Sequence, residues 1–421
     1  MPDKTYSEPA RNIPVAGEYD VLVCGGGTSG IPAAVSAGRE GMKVALIERY
    51  GFLGGVPAMN IMVCWHGLNQ HHSGLLTEWA RRIPEITPGP DPFAANHMEP
   101  EAVKLLALEM IEGAGVELHL HTMIVGAIKE GNVVKGIITE SKSGRQAFLA
   151  KQVIDATGDG DVAAFAGAEY RMGDDEGRIQ GMTVRFRLGC IDFKEYFDWI
   201  AAHRQFYKLT DETYAATRQR ALAGEDFYLG ADLAPLYREH SEYKHLPLAS
   251  YFNCSSIRPG ELSCNATRVE LLDGTREVDL TKAEIGCRRQ IKELHDFLRH
   301  YVGGFARSRL IETAPQIGVR ETRSVVADYI LTEDDCRRGV RFEDSICQGH
   351  VSFDLHNPGK YSNESLPNKH YVPYRCLLTK GLENLMVIGR AMSADHVANS
   401  TARQMYKVFT IGEVAGLAAA L

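Results

Sequence analysis

Gly25, Gly27 and Gly30 stand at G-x-G-x-x-G spacing, with Thr28 and Ser29 in the variable places. The turn follows the apolar run 19–24 and opens the small-residue stretch 31–41. A strand that ends in such a turn and leads into a helix is built to hold a pyrophosphate. Gly25 permits the tight turn, Gly27 lets the backbone approach the phosphates, and Gly30 lets the helix pack closely on the strand. Amides and the dipole at the helix N-terminus favour the negative charge. Residues 42–47 read as a second buried strand, and Glu48 at its end stands where a carboxylate accepts hydrogen bonds from an adenosine ribose. The unit as a whole is a dinucleotide site. A different chemistry is available further on, at Arg320, Arg323, His356 and His396. Arginines suit a carboxylate or polyhydroxylated ligand through forked hydrogen bonds, and histidines suit proton transfer near neutrality. Residues 353–356 alternate like a strand, which places Asp354 and His356 on one face. The carboxylate is then expected to fix the imidazole tautomer and raise its basicity.

The residues after Glu48 narrow the dinucleotide. Glu48-Arg49, followed by Gly54-Gly55 and Val56, resembles the E-R-x-x-x-x-G-G continuation of the glutathione-reductase-like flavoproteins. That resemblance implies FAD, with the second glycine pair close to it. Residues 115–122 alternate like a half-buried strand. Residues 124–128, beginning at Ile124, then 133–140 and 146–149, read as a small antiparallel set with Gly131-Asn132 and Ser143-Gly144 turns. This is the place of the β-meander in the same superfamily. Ala156-Thr157-Gly158-Asp159 resembles its A-T-G-D stretch, where backbone meets the cofactor. Near the C-terminus, Gly389-Arg390 and a helix reading from 399 through Arg403 to the end resemble the turn and helix that complete the FAD site. Many flavoproteins carry Gly-Asp there. The family this chain resembles carries Gly-Arg, and Asp159 is then a second candidate for the ribityl contact. From residue 19 to 421 the chain resembles a broad bacterial family of FAD-dependent oxidoreductases, which implies cofactor and fold and says nothing of substrate. His66, His71 and His72 lie where some relatives of succinate dehydrogenase attach flavin covalently. The motif around them does not match, so they read as loop or pocket histidines and the FAD as non-covalent.

These residues require an α/β framework. The expected fold is a Rossmann-like FAD-binding domain, a parallel sheet with a β-meander insertion, plus an inserted mixed α/β substrate domain. The expected boundaries are 18–168 and 381–421 for the FAD-binding parts and 169–380 for the substrate or cap domain. Within the latter, 183–188 reads as a strand, 193–223 as mostly helical, 226–247 as loop-rich, and 281–301 as a long amphipathic helix. The chain has 421 residues and a net charge of −8, with no basic cluster, which argues against nucleic acid as a partner. No apolar run reaches the length of a membrane span, and residues 1–17 lack the apolar core of a signal peptide. The nine cysteines have no C-x-x-C pair, so a redox disulfide and the usual metal signatures are not expected. Reduced cysteines suit a cytoplasmic protein. Asp159-Gly160-Asp161 lacks the further ligands of a calcium loop, and no metal is expected. A second G-x-G-x-x-G is absent, so electrons are expected to pass between a small-molecule substrate and an external acceptor: oxygen, a quinone or another protein. Hydride transfer to flavin N5 is the expected reaction; a flavin monooxygenase, or a protein holding FAD without turnover, is the alternative. A homo-oligomer is possible.

Overall fold

The computed structural model describes residues 5–59, 63–68, 74–88, 92, 97–243, 245–246, 252–349 and 352–421. His71 and His72 lie outside them. The first sheet is built from β1 (Val15–Cys24), β2 (Val44–Ile47), β3 (Glu117–His119), β4 (Met123–Glu130), β5 (Val133–Ser141) and β6 (Gly144–Asp155), in the order β3-β2-β1-β6-β5-β4. A seventh strand, Leu385–Val387, also pairs with β6. β1 runs parallel to β2 and β6, β2 runs parallel to β3, and β4, β5 and β6 are joined antiparallel. β6 serves two purposes. Its first half pairs with β5, and residues 153–155 pair in parallel with Leu385–Val387. The expected strand 146–149 is thus part of a longer one, Gly144–Asp155. Val21, Leu22, Val23 and Cys24 are fully buried, because this sheet is covered on both faces and parallel strands in such a sheet need no polar alternation.

Helix α1 (Gly30–Arg39) covers one face, and the C-terminal helix Met405–Ala420 packs on it. Backbones meet there: a Cβ on Gly412 would lie 2.1 Å from the Ser29 carbonyl oxygen, and one on Gly416 2.2 Å from that of Ala33. The single C-terminal helix expected from the sequence is two, His396–Ala402 and Met405–Ala420, broken at Arg403 and Gln404.

A second sheet is wholly antiparallel, in the order Arg309–Thr313, Phe186–Gly189, Leu262–Asn265, Phe252–Ser256, Phe227–Ala231. Phe186, Leu188, Cys254, Cys264 and Leu229 turn one face into a core shared with helices Phe193–Ala202 and Glu277–Tyr301. The strand Phe227–Ala231 falls in the stretch that reads as loop-rich. Five residues leave too short an alternation to stand out beside the aromatic residues that follow. Leu331, Cys336, Phe353, Val372 and Leu377, by contrast, join the core around α1. The fold is mixed α/β with a Rossmann-like parallel sheet. All nine cysteines are free, and among the described residues no helix is long and apolar enough to cross a membrane.

Candidate active site

A cavity of about 860 Å³ lies between the glycine turn after β1 and the face of the second sheet that is turned away from its core. The turn explains its own glycines. At Gly25, with φ +112°, a Cβ would lie 2.5 Å from the Ala156 carbonyl oxygen, and at Gly30 one would lie 1.8 Å from that of Gly25. Gly27 differs: a Cβ there meets nothing nearer than Gly55 Cα at 3.9 Å. One side of the turn is thus locked against β6, and the other stays open. Ser29 caps α1 without a side-chain hydrogen bond, and the first helical turn carries no acidic residue. The amides at this helix start therefore have no side-chain anion, which fits a pyrophosphate.

The remaining cofactor-end residues are held by backbone contacts. Glu48 accepts from the Gly26 N–H at 2.8 Å and the Tyr50 N–H at 2.9 Å. Burial pushes its pKa up, against those two bonds. Each carboxylate oxygen keeps acceptor capacity for a ribose hydroxyl. Gly54 N–H bonds to the Gly26 carbonyl at 2.9 Å, while Gly55, Val56, Arg49 and Ile124 line the cavity. Asp155, fully buried, takes hydrogen bonds from the Thr157 N–H and hydroxyl and from the Ala163 N–H, and burial raises its pKa to about 6. It shapes the turn that brings Ala156, Thr157, Gly158 and Asp159 to the cavity wall. Arg390 reaches the wall too, but its guanidinium donates to the Gly158 carbonyl, the Val319 carbonyl and Asp159 Oδ1, at 3.0, 2.5 and 2.5 Å. Its donors clamp that turn, with Gly389 beside it at the cavity wall.

The far end is made of side chains. His356 Nε2 lies 3.4 Å from Asp354 Oδ1, as the strand alternation requires, and both line the cavity. The net effect on the imidazole is opposite to the expected one. Burial, and then the Arg320 charge, outweigh Asp354 and lower its pKa to about 3. His356 is therefore neutral near pH 7. Arg320 donates to the Gly181 carbonyl at 2.7 Å, and burial, with Arg403 next, lowers it to about 9. Arg403 bonds to the carbonyls of Arg320 and Asp354 and to Gln180 Oε1. It occupies the break between the two C-terminal helices, and its guanidinium ties that break to the strand carrying Asp354 and to the loop carrying Arg320.

Two of the expected substrate-side residues sit elsewhere. His396 does not line the cavity; Nδ1 and Nε2 are both taken, by Glu321 and Asn357, each at 2.8 Å. Arg323 does not line it either; it donates to the Asp159 carbonyl and to Asp161 Oδ1, both at 2.9 Å. Both histidine and arginine act as ties between segments. Residues that the sequence reading passed over are present instead: Arg185, Tyr228, Asn253 and Asn265, on the cavity-facing side of the second sheet; His66, expected in a loop or pocket, also lines the cavity. A signal existed for the first. Residues 183–188 alternate polar with apolar, which places Arg185 and Arg187 on the face opposite Phe186 and Leu188.

The family described as FAD dependent oxidoreductase matches residues 20–421. The chain belongs to that family. The protein is an oxidoreductase that uses FAD, and the glycine turn, Glu48 and the 156–159 turn fit that cofactor. Short stretches resemble two dehydrogenases. Dihydrolipoamide dehydrogenase of Chaetomium thermophilum is 47% identical over 45 residues, 11% of this chain and 9% of that protein. Dihydrolipoyl dehydrogenase of Trypanosoma brucei brucei is 34% identical over 70 residues, 15% of each chain. The match thus spans a small part of either protein. Among solved structures, a geranylgeranyl bacteriochlorophyll reductase-like protein of Thermoplasma acidophilum is similar over 96% of this chain and 78% of that one, with a TM-score of 0.51 at 15% identity. That is a likeness of fold.

Proposed function

We propose that this oxidoreductase, of the glutathione-reductase-like type, oxidises a small hydroxylated or carboxylated substrate, with His356 as the proton acceptor. The observation that carries the reading is the Asp354–His356 pair, 3.4 Å apart, in the same cavity as the glycine turn. FAD, when bound, supplies acceptance of two electrons as a hydride at N5. The substrate's hydroxyl loses its proton to His356 as its carbon loses that hydride. Asp354, kept ionised by a hydrogen bond from the neutral His356 and by the neighbouring Arg403 and Arg320, orients the imidazole, and the arginines hold the substrate. Residues 18–168 and 381–421 form the FAD-binding part, and the rest is the cap that selects substrate. An external acceptor of oxygen, quinone or protein type takes the electrons away, and nine free cysteines suit a cytoplasmic setting. Anaerobic mixing of purified protein with sugars, hydroxy acids and amines tests the reading. Bleaching of the flavin absorbance by one class supports it; a flavin that none of them reduces counts against it.

A further inference from the structure

Arg187, in the strand Phe186–Gly189, and Arg185, one residue before that strand, have different fates. Arg187 is paired, with Glu261 at 3.5 Å and Glu312 at 3.3 Å. Arg185 is 2% exposed and lines the cavity, yet neither Nε nor Nη1 has a hydrogen-bond partner among the described residues. Burial lowers its pKa, opposed by Cys64, Tyr228, Cys264 and Cys254 nearby. A buried guanidinium with open donors and no carboxylate beside it is costly, because the desolvated charge is not repaid.

The sheet register shows what surrounds it. Cys264 pairs with Phe186, so Asn265 follows opposite Arg185 on the cavity face; Asn253 pairs with Asn265, and Ser255 with Tyr228. Arg185, Asn265, Asn253 and Tyr228 thus share a polar face across four adjacent strands, and all four line the cavity. Arg320 and His66, which also line the cavity, each feel both Arg185 and Asp354 electrostatically.

We infer that the substrate is a small organic carboxylate, and that Arg185 is the residue that binds its carboxylate group. This rests on the oxidoreductase reading and deepens it. A buried guanidinium at the cavity wall, its charge unpaired, matches a carboxylate through charge-assisted hydrogen bonding. A neutral alcohol or sugar would leave the guanidinium unpaired.

The test uses the FAD-loaded full chain and follows perturbation of the flavin spectrum by acetate and glycolate against acetamide and glycolamide. The acids are expected to bind saturably and at least about tenfold more tightly than the amides, the scale of a charge-assisted hydrogen bond. Arg185→Gln should erase that preference, weaken acid binding about a hundredfold and leave FAD content unchanged. Arg185→Lys, which keeps the charge, should retain part of the preference and guards against a folding defect in the first variant. Equal binding of acids and amides by the wild type overturns the inference. So does unchanged acid binding in Arg185→Gln, or loss of FAD from both variants, which would give the guanidinium to the cofactor. Saturable acid binding without anaerobic bleaching by any hydroxy acid would sink the hydride-transfer reading and leave the anchor standing. Bleaching by neutral alcohols alone would do the reverse.

Discussion

The two ends of the cavity are built from different parts of the polypeptide. At the cofactor end the walls are backbone: Gly25, Gly27, Thr28 and Ser29 of the turn, with Gly30 packed against Gly25 behind it, and the 156–159 turn. Side chains there mostly brace the main chain, as Glu48 braces Gly26 and Arg390 braces Gly158. At the far end the walls are side chains brought in from separate strands and loops: Arg185, Arg320, Asp354 and His356. A backbone site is set by local conformation and cannot be moved without unfolding the turn. A side-chain site can change its chemistry one residue at a time. A common cofactor end can therefore serve many substrates.

The comparison breaks most visibly at Gly30. Gly30→Ala puts a methyl group 1.8 Å from the Gly25 carbonyl oxygen, so the turn must open. The expected result is protein without flavin, read as the ratio of flavin to protein absorbance. Normal FAD content would show that the turn is not the cofactor's cradle.

The next effect belongs to the far end. His356→Ala should keep its FAD and slow anaerobic flavin reduction by about a hundredfold or more, the scale of losing a general base. Its pH behaviour sharpens the assignment. With a folded pKa near 3 and an ordinary value of 6.5, the imidazole stays neutral, so wild-type reduction should show no acid limb near 6.5. Stability follows the same shift. The unfolded chain takes up this proton first as pH falls, so the contribution is complete above 6.5 and is lost progressively between 6.5 and 3. Thermal melting of His356→Ala should therefore fall less steeply than wild type from pH 7 to 4. Parallel curves would place the imidazole in a different electrostatic setting.

Glu48→Gln is a smaller change at the cofactor end. It replaces a carboxylate that accepts from two backbone N–H groups, and FAD affinity should drop about tenfold. An equilibrium titration of apoprotein with FAD measures it, and unchanged affinity would remove Glu48 from the site.

His396→Gln is the control for His356. Its two ring nitrogens bond only to Glu321 and Asn357, so the variant should lose about 1–3 kcal/mol of stability. Its rate of flavin reduction should stay close to wild type. A rate loss like that of His356→Ala would bring this residue back into the reaction.

Much of the molecule was legible in the sequence, and the division follows these two ends. The glycine turn, Glu48, the meander and the 156–159 turn depend on neighbours within a few residues, on apolar runs and on conformations only glycine adopts. Such features are written along the chain. Asp354 and His356 were paired for the same reason, two places apart on a strand. His396 and Arg323 could not be told from Arg320 and His356 by residue type, because whether a charged group faces a cavity or ties two loops depends on what folds against it. The sign of the His356 shift was also hidden, since it comes from burial and from arginines dozens of residues away. Arg185 is the sharpest case. Its strand showed which face it occupies, and only the packing of the second sheet over the cavity left that guanidinium buried with Nε and Nη1 unpartnered while Arg187, two residues on, met Glu261 and Glu312. Local conformation determines what the chain can bind through its backbone; long-range packing decides which charges stay unpaired, and so what chemistry the cavity selects.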